Sequence, residues 1–376
     1  MKVQVLQENL VKALNIVCRL ISSKSQLPVL NNILLVTEEN RLKIASTNLE
    51  MGLISWIGGK IEKEGSITIP SKVFQEYVSS LPADKINLEI KENIVNLTCQ
   101  SFKATFNGIA ASEFPTLPKK EESFFEFSGP VLKEVISQVA FASAADEGRP
   151  ILTGVFIQVK DNLLSFAATD GYRLSLKKIE LEEKENKKIS KVRKLIIPAR
   201  SLNELEKMIV DQEKQEKNLV EIGLTKDENQ VIFSLPDIEL STRLLEGEFP
   251  DYEKIIPGSF SSRIFLDKEE FGRAVRIASI FARDSANIVK FKFADDRLII
   301  SANSPQVGEN ISEIGVKIEG EGGEIAFNYR FLLDFLNSIN AEEIIFEMNG
   351  PLNPGVFKVK DDQSLLHIIM PVRLQI

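Results

Sequence analysis

Three short patterns recur in the same order along the chain, and a chain that repeats itself folds as copies of one unit. Leu42-Lys-Ile-Ala-Ser-Thr-Asn48, Leu164-Ser-Phe-Ala-Ala-Thr-Asp170 and Leu298-Ile-Ile-Ser-Ala-Asn-Ser304 share apolar residues at the first and third positions, with small polar residues after them. From Leu42 to Leu164 is 122 residues, and from Leu164 to Leu298 is 134. A second trio, Ser66-Ile-Thr-Ile-Pro70, Lys194-Leu-Ile-Ile-Pro198 and Glu324-Ile-Ala-Phe-Asn328, follows at intervals of 128 and 130. Glu113-Phe-Pro115 and Glu248-Phe-Pro250 close the first two units.

Each unit opens on an alternating strand (Val3 and Val5; Phe125 and Phe127; Ile264 and Leu266) and continues through a helix, alternating strands, a second helix and more strands. Pro70 and Pro198 are expected at the first helical position, where the missing N–H costs nothing, with Ser71 and Ser201 near the helix start. Segments rich in Pro, Gly, Ser and charge, Pro115 to Ser123 and Pro250 to Ser262, read as linkers. The expectation is an α+β protein of three similar domains, 1–122, 123–257 and 258–376.

Several function classes drop out. Cys18 and Cys99 are too few for a disulfide framework or a cysteine-rich metal site, and read as small buried hydrophobes in a reducing compartment. His367 is the only histidine, so any triad or zinc site needing imidazole runs through it. It lies in an apolar terminal run and reads as a histidine on a strand surface. No Walker loop, GxGxxG turn, HExxH or GxSxG elbow is present. Asp170 and Asp251 read as turn formers, so neither an enzyme nor a cofactor is expected. The N-terminal segment has no apolar h-region and no long uncharged apolar run occurs, which points to the cytoplasm and away from membranes.

The net charge of −8 argues against indiscriminate nucleic-acid binding over the outer surface, so the placement of cations matters more than their sum. The mixed-sign stretch Leu181 to Lys194 reads as a solvated loop. On the helix from Phe271 to Arg283, at about 100° per residue, Ala274, Val275, Ala278 and Phe281 stay within roughly 80° of Phe271. Arg273, Arg276 and Arg283 fall on the opposite side, between roughly 120° and 200°. Other expected helices carry Lys12 and Arg19, Lys72, Lys133, Arg200 and Lys207, and Arg330. Singly these are solubility features; repeated at equivalent helices they suggest a basic surface.

Along nearly its whole length the sequence resembles the bacterial DNA polymerase III beta subunit family, the DNA sliding clamps. The residues that carry the likeness are Thr169-Asp-Gly-Tyr-Arg-Leu174, Glu248-Phe-Pro-Asp-Tyr252 with Ile255-Ile-Pro257, Leu27-Pro-Val-Leu30, and Met370-Pro-Val-Arg-Leu374. The resemblance implies three domains with two helices inside and antiparallel sheets outside, and a head-to-tail homodimer ring of six domains around double-stranded DNA. Twelve helices about 9 Å apart enclose roughly 24 Å, enough for a duplex, whereas six enclose only about 7 Å. A ring therefore requires two copies.

The resemblance also implies site residues. Sequence-independent DNA contacts fall to Lys24, Lys72, Arg149, Arg200, Lys207, Arg273 and Arg276. A peptide pocket between domains two and three falls to Leu152, Thr169, Gly171, Tyr172, Arg173, Leu174, Pro250, Lys254, Ile255, Leu352, Pro354, Met370, Pro371, Val372, Arg373 and Leu374. Its expected partners are the DNA polymerase III alpha subunit, the clamp loader, and other DNA polymerases and repair proteins. Phe106, Ile280 and Phe281 are the apolar candidates for the dimer contact, although Phe281 equally suits a core. Tyr172, Lys254 and Val372 depart from residues common in the family, Ser79 stands where a family member has arginine, and Gln375 and Ile376 run past the usual end. A protein-interaction scaffold on the same repeat, without a DNA role, is the competing expectation.

Overall fold

The computed structural model describes residues 1–21, 27–146, 148–160, 162–181, 194–212 and 218–373, with backbone alone at 122 and 124. The charged stretch between Leu181 and Lys194 lies outside the described residues. The first repeat holds β1 (Lys2–Leu6), α1 (Gln7–Val17), β2 (Asn32–Glu38), β3 (Arg41–Thr47), β4 (Met51–Gly58), β5 (Lys60–Lys63), β6 (Ser66–Pro70), α2 (Ser71–Ser79), β7 (Lys85–Lys91), β8 (Ile94–Cys99) and β9 (Phe102–Asn107). The second holds β10 (Glu122–Ser128), α3 (Gly129–Val139), β11 (Gly154–Lys160), β12 (Leu163–Thr169), β13 (Arg173–Glu180), β14 (Lys194–Pro198), α4 (Ala199–Asp211), β15 (Leu219–Leu224), β16 (Gln230–Leu235) and β17 (Ile238–Arg243). The third holds β18 (Ser262–Asp267), α5 (Lys268–Ala282), β19 (Ile288–Ala294), β20 (Arg297–Ser304), β21 (Gly308–Gly315), β22 (Lys317–Gly320), β23 (Gly323–Asn328), α6 (Tyr329–Ser338), β24 (Glu343–Met348), β25 (Gly355–Val359) and β26 (Asp362–Ile369).

The chain gathers into two compact units. The first comprises 1–132 and 204–244, the second 133–203 and 245–376, so the middle repeat contributes to both. In the first unit a five-stranded sheet runs β5-β1-β7-β8-β9, and an eight-stranded sheet runs β10-β15-β16-β17-β4-β3-β2-β6. In the second unit a nine-stranded sheet runs β14-β11-β12-β13-β26-β25-β24-β18-β22, and a four-stranded sheet runs β21-β20-β19-β23. The strand pairings are antiparallel, which lets short hairpins join neighbours.

Why the sequence folds this way is plain at α5. Asp267 caps it, accepting from the Glu270 N–H at 2.7 Å, and Glu269 and Glu270 sit in the first turn where the helix dipole favours anions. Phe271, Ala274, Val275 and Ala278 are buried and Arg273 and Arg276 exposed, as the helical spacing predicts. Its apolar stripe packs into a core in which Phe291 and Phe327 meet Phe346 edge-on, with Phe271 edge-on to Phe291. Full burial of each such ring contributes about 2–3 kcal/mol. Pro70 and Pro198 stand one residue earlier than expected. Each ends its strand, and the helix begins at Ser71 or Ala199. The φ of −58° at Pro70 suits a cap with extended ψ equally well.

His367 is a correction. It is fully buried rather than on a strand surface, because on β26 it shares the parity that faces α6: its ring stacks on Phe335 at 5.0 Å and lies 5.4 Å from Phe141. Neither ring nitrogen has a hydrogen-bond partner among the described residues. Burial, and secondarily the Arg173 charge, push its pKa down to about 3. Folded His367 is neutral while the unfolded residue titrates near 6.5, so its contribution is complete above about pH 6.5 and is lost as pH falls toward 3. Between pH 7 and pH 5 this costs roughly 2 kcal/mol. In urea unfolding, the His367→Leu variant is expected to lack that increment, so the wild-type minus variant stability difference drops by this amount over the interval.

Candidate functional site

The Thr169–Arg173 turn, between β12 and β13 in the second unit, is built from side chains that hold its own backbone. The Thr169 hydroxyl donates to the Arg173 carbonyl at 2.6 Å and accepts from the Gly171 N–H at 3.0 Å. The Asp170 carboxylate accepts from the Tyr172 and Arg173 N–H groups at 2.8 and 3.0 Å. Gly171 has φ +91°, a left-handed conformation that glycine adopts without strain. Asp170 is a turn former, as its position beside glycine suggested.

Strand register brings other motif residues to this turn. Arg173, Ile369 and Gly355 form one row across β13, β26 and β25. The residues just beyond the row, Tyr172, Met370 and Pro354, therefore sit at adjacent strand ends, and the Met370 N–H donates to the Tyr172 carbonyl at 2.8 Å. The next row, Leu174, Ile368 and Val356, is buried in a cluster with Tyr252, against which Phe249, Ile256 and Ile151 pack. Tyr252 anchors a 3-10 turn, Tyr252–Ile255, whose Lys254 and Ile255 face solvent. Tyr172 and Leu352 are 63% and 65% exposed, with Met370 and Ile255 near 40%, so the end of a buried apolar cluster carries an accessible apolar fringe. Leu152 and Thr169 are buried beneath it, Pro250 and Arg373 are exposed, and Pro371 and Val372 are half-buried. Leu374 lies outside the described residues.

Two expected residues take different stations. Arg149 was grouped with the DNA contacts, yet its guanidinium donates to the Asp170 carbonyl at 2.9 Å, and a Cβ on Gly171 would lie 3.0 Å from its Nη1. Arg173 is only 10% exposed at its side chain and is bound on all sides. It donates to Asp170 (3.1 Å), to Asp334 on α6 (2.5 Å) and to the Phe141 carbonyl (2.7 Å), with its guanidinium 4.6 Å from the Phe331 ring centroid. These bonds hold the turn in place against α6. Asp334 and Phe141 were missed because nothing in their local sequence marks them; only the fold brings them together. Lys254 pairs with Asp251 at 2.8 Å, and this hydrogen bond raises the lysine pKa and lowers the aspartate pKa.

The basic residues are mostly exposed where expected. Arg273 and Arg276 line a groove of about 340 Å³ between α5 and α6 with Lys268, Glu269, Gly272, Leu336 and Asn337. Lys268 donates to the Ile339 carbonyl at 2.8 Å, whereas Arg273 and Arg276 have no carboxylate partner among the described residues. Lys72 and Arg200 are exposed, and Lys207 pairs with Glu204 at 2.8 Å. Lys24 lies outside the described residues.

Among the dimer candidates, Ile280 is 53% exposed and Phe281 is half-buried against the third-repeat core. Phe106 is buried edge-on against Phe74 and Tyr77 at 5.1 and 5.7 Å. Its strand β9 forms the open edge of its sheet, and the apolar side chain exposed there is Phe102. Ile311 on the open edge β21, with Ile277 and Val307, are further exposed apolar residues that sequence alone did not single out.

Replacing Arg173 by alanine leaves Asp170 and Asp334 without their shared cation, and is expected to destabilise the fold by about 2–3 kcal/mol in urea unfolding. Lysine is expected to restore only part, because it lacks the planar fork that serves three acceptors.

The profiles described as DNA polymerase III beta subunit N-terminal, central and C-terminal domain match residues 1–118, 126–251 and 253–373. The beta sliding clamp of Bacillus subtilis (strain 168) is 32% identical, covering 99% of this chain and 100% of that protein. That of Staphylococcus epidermidis is 29% identical, covering 99% of each. The crystal structure of the Bacillus subtilis DNA polymerase sliding clamp superposes with a TM-score of 0.93 at 30% identity, and the Thermotoga maritima DNA polymerase III beta subunit with 0.88 at 28%, each covering 100% of both chains. The fold has the three clamp domains and antiparallel sheets of these proteins, and the chain belongs to the DNA polymerase III beta subunit family.

Proposed function

We propose that two copies of this chain close head to tail into a ring that encircles duplex DNA and tethers a replicative polymerase to it. The observation that carries the reading is a strand-pairing rule that the chain leaves unfinished. The hairpin sets β2-β3-β4, β11-β12-β13 and β19-β20-β21 are equivalent, as are β7-β8-β9, β15-β16-β17 and β24-β25-β26. Within the chain β4 pairs antiparallel with β17, and β13 pairs antiparallel with β26. The remaining members, β21 and β9, are both open edges. An eight-residue edge such as β21 carrying an exposed isoleucine invites pairing. Joining β21 of each copy to β9 of the other satisfies both edges by the pairing already used twice. It brings Ile280 and Phe102 to the helix side of the joined sheet and sets Ile311, Glu309 and Glu313 on the same face as Lys103.

The domains are taken as 1–122, 123–257 and 258–376. The basic helix faces, including Lys72, Arg200, Lys207, Arg273 and Arg276, then serve as a lining. Retention is topological, so each contact needs only weak, exchangeable attraction to phosphates and reads no sequence. The role is mechanical and requires no catalysis. The apolar fringe of Tyr172, Ile255, Leu352 and Met370 over the Leu174-Ile368-Val356 row suits short peptides from the DNA polymerase III alpha subunit, the clamp loader and other polymerases and repair proteins. The cytoplasm is the compartment this role implies.

Ile311→Asp, which puts a charge on the proposed contact, is expected to lower the sedimentation mass at micromolar concentration from twice 42.1 kDa to 42.1 kDa, while the melt of the monomer stays cooperative. An unchanged dimer would refute the β21–β9 pairing. Arg273→Glu with Arg276→Glu is expected to shorten residence on circular DNA at least about tenfold with the dimer intact, and to flatten the salt dependence by about 0.9 in log–log slope for each phosphate that is no longer neutralised.

A further inference from the structure

The Thr169–Arg173 turn has a twin in the first unit, and the two differ in one interaction with a helix. Thr47–Met51 joins β3 to β4 as Thr169–Arg173 joins β12 to β13. The Thr47 hydroxyl donates to the Met51 carbonyl at 2.8 Å and accepts from the Leu49 N–H at 3.0 Å. The Asn48 side chain accepts from the Glu50 and Met51 N–H groups at 3.1 and 2.7 Å, in place of Asp170. The Arg243 N–H donates to the Glu50 carbonyl at 3.0 Å, as Met370 does to Tyr172. In the place of Arg173 stands Met51, buried at 3% exposure, so the backbone bonds of this turn form without a guanidinium.

What the second-unit turn adds is a tie to α6. Phe331 and Asp334 stand one helical turn apart and grip the Arg173 guanidinium together, the ring centroid at 4.6 Å and the carboxylate at 2.5 Å. The helix is itself fixed. The Asn328 side chain caps it by accepting from the Arg330 N–H at 3.0 Å, Leu332, Phe335 and Leu336 are buried, and Phe335 stacks on His367. On α4, Glu204 follows Pro198 at the interval by which Asp334 follows Asn328, and it pairs with Lys207 on its own helix at 2.8 Å. A methionine side chain at the turn has no donor to offer a carboxylate. Taking a guanidinium to 10% exposure carries a desolvation cost, and the twin shows that the turn does not need it to form. The role of the tie therefore lies beyond making the turn.

We infer that Asp334 is a positioning residue for the candidate peptide site. Through Arg173 it holds the Thr169–Arg173 turn against α6, so that Tyr172, next to Arg173, and Met370, bonded to the Tyr172 carbonyl, are in place before a peptide arrives. A fringe ordered in advance loses less freedom on binding, and the affinity is higher by that difference. The inference rests on reading the fringe around Tyr172 as a peptide site.

The test measures binding of purified DNA polymerase III alpha subunit to the full-length protein by surface plasmon resonance, with a thermal melt of each variant. Asp334→Ala is expected to weaken binding roughly three- to tenfold while the melting temperature falls by no more than about 3 °C, because a half-exposed ion pair contributes little to stability. Asp334→Asn, which keeps an oxygen to accept from Nη1, is expected to fall between Asp334→Ala and wild type. In an Arg173→Met background, which copies the twin, Asp334→Ala is expected to weaken binding no further; a general loosening of α6 would weaken it again. Wild-type affinity of Asp334→Ala overturns the inference, as does equal weakening in both backgrounds. Met370→Asp distinguishes the two levels of the reading. If it leaves binding intact, the fringe is not the peptide site and the inference falls with that reading; if it abolishes binding while Asp334→Ala binds like wild type, the inference alone falls.

Discussion

Backbone hydrogen bonding across the junctions between repeats is the constraint on which the rest depends. A strand presents donors and acceptors on both sides, and an exposed row of them seeks a partner. The chain meets this demand by lending the last strand of each later repeat to the sheet of the one before it, β17 to β4 and β26 to β13. Because the repeat number is finite, one strand of each kind is left over. The unmatched edges are a consequence of the repeat itself and require no special sequence. That is why the proposed closure needs so few dedicated residues: an isoleucine or two, a phenylalanine and complementary charges on strands that already have the right twist and direction.

The same junctions create the sites. Where β13 meets β26, residues on one parity bury Leu174, Ile368 and Val356 toward the Tyr252 turn, while the other parity carries Arg173, Ser175, Lys177 and His367 toward the helices. On that second parity the β26 side chains Leu365 and Ile369 join the third-repeat core, while the β13 side chains are polar. Among these Lys177 reaches Asp362 at 2.7 Å and the Ser175 hydroxyl donates to the Gln138 carbonyl at 2.6 Å. Directional bonds of this kind fix register, whereas burial alone would tolerate slippage. Arg173 extends the polar row of β13 to the edge of the candidate site, so the turn's geometry is inherited from the seam.

The repeat, the helix faces and the motif residues were legible in the sequence because each is a local pattern: period two in strands, period 3.6 in α5, and a threonine and an acidic or amide residue spaced to satisfy a turn. What escaped were properties of parity and partnership. Phe106 and Phe102 share one face of β9, and only the packing of α2 against Phe106 decides which ring is buried. His367 looks like a polar residue in a terminal strand until β26 is seen to lie beneath Phe335 and Phe141. Arg149 carries a charge that suits DNA and a chain position that suits the turn, and sequence cannot rank the two.

Charge magnitudes decide how such a protein can hold DNA. A chain of net charge −8 is repelled by a polyanion at long range, and screening over roughly 8–10 Å at physiological salt confines any attraction to residues brought close. On the proposed reading, guanidinium groups such as Arg273 and Arg276, with no carboxylate partner among the described residues, supply local attraction without the deep electrostatic well that would immobilise the protein at one place. Tight retention together with free movement is difficult to obtain from contact energy, since whatever lengthens residence also raises the barrier to sliding. Separating the two, with closure assigned to sheet edges and lubrication to helix faces, removes the conflict.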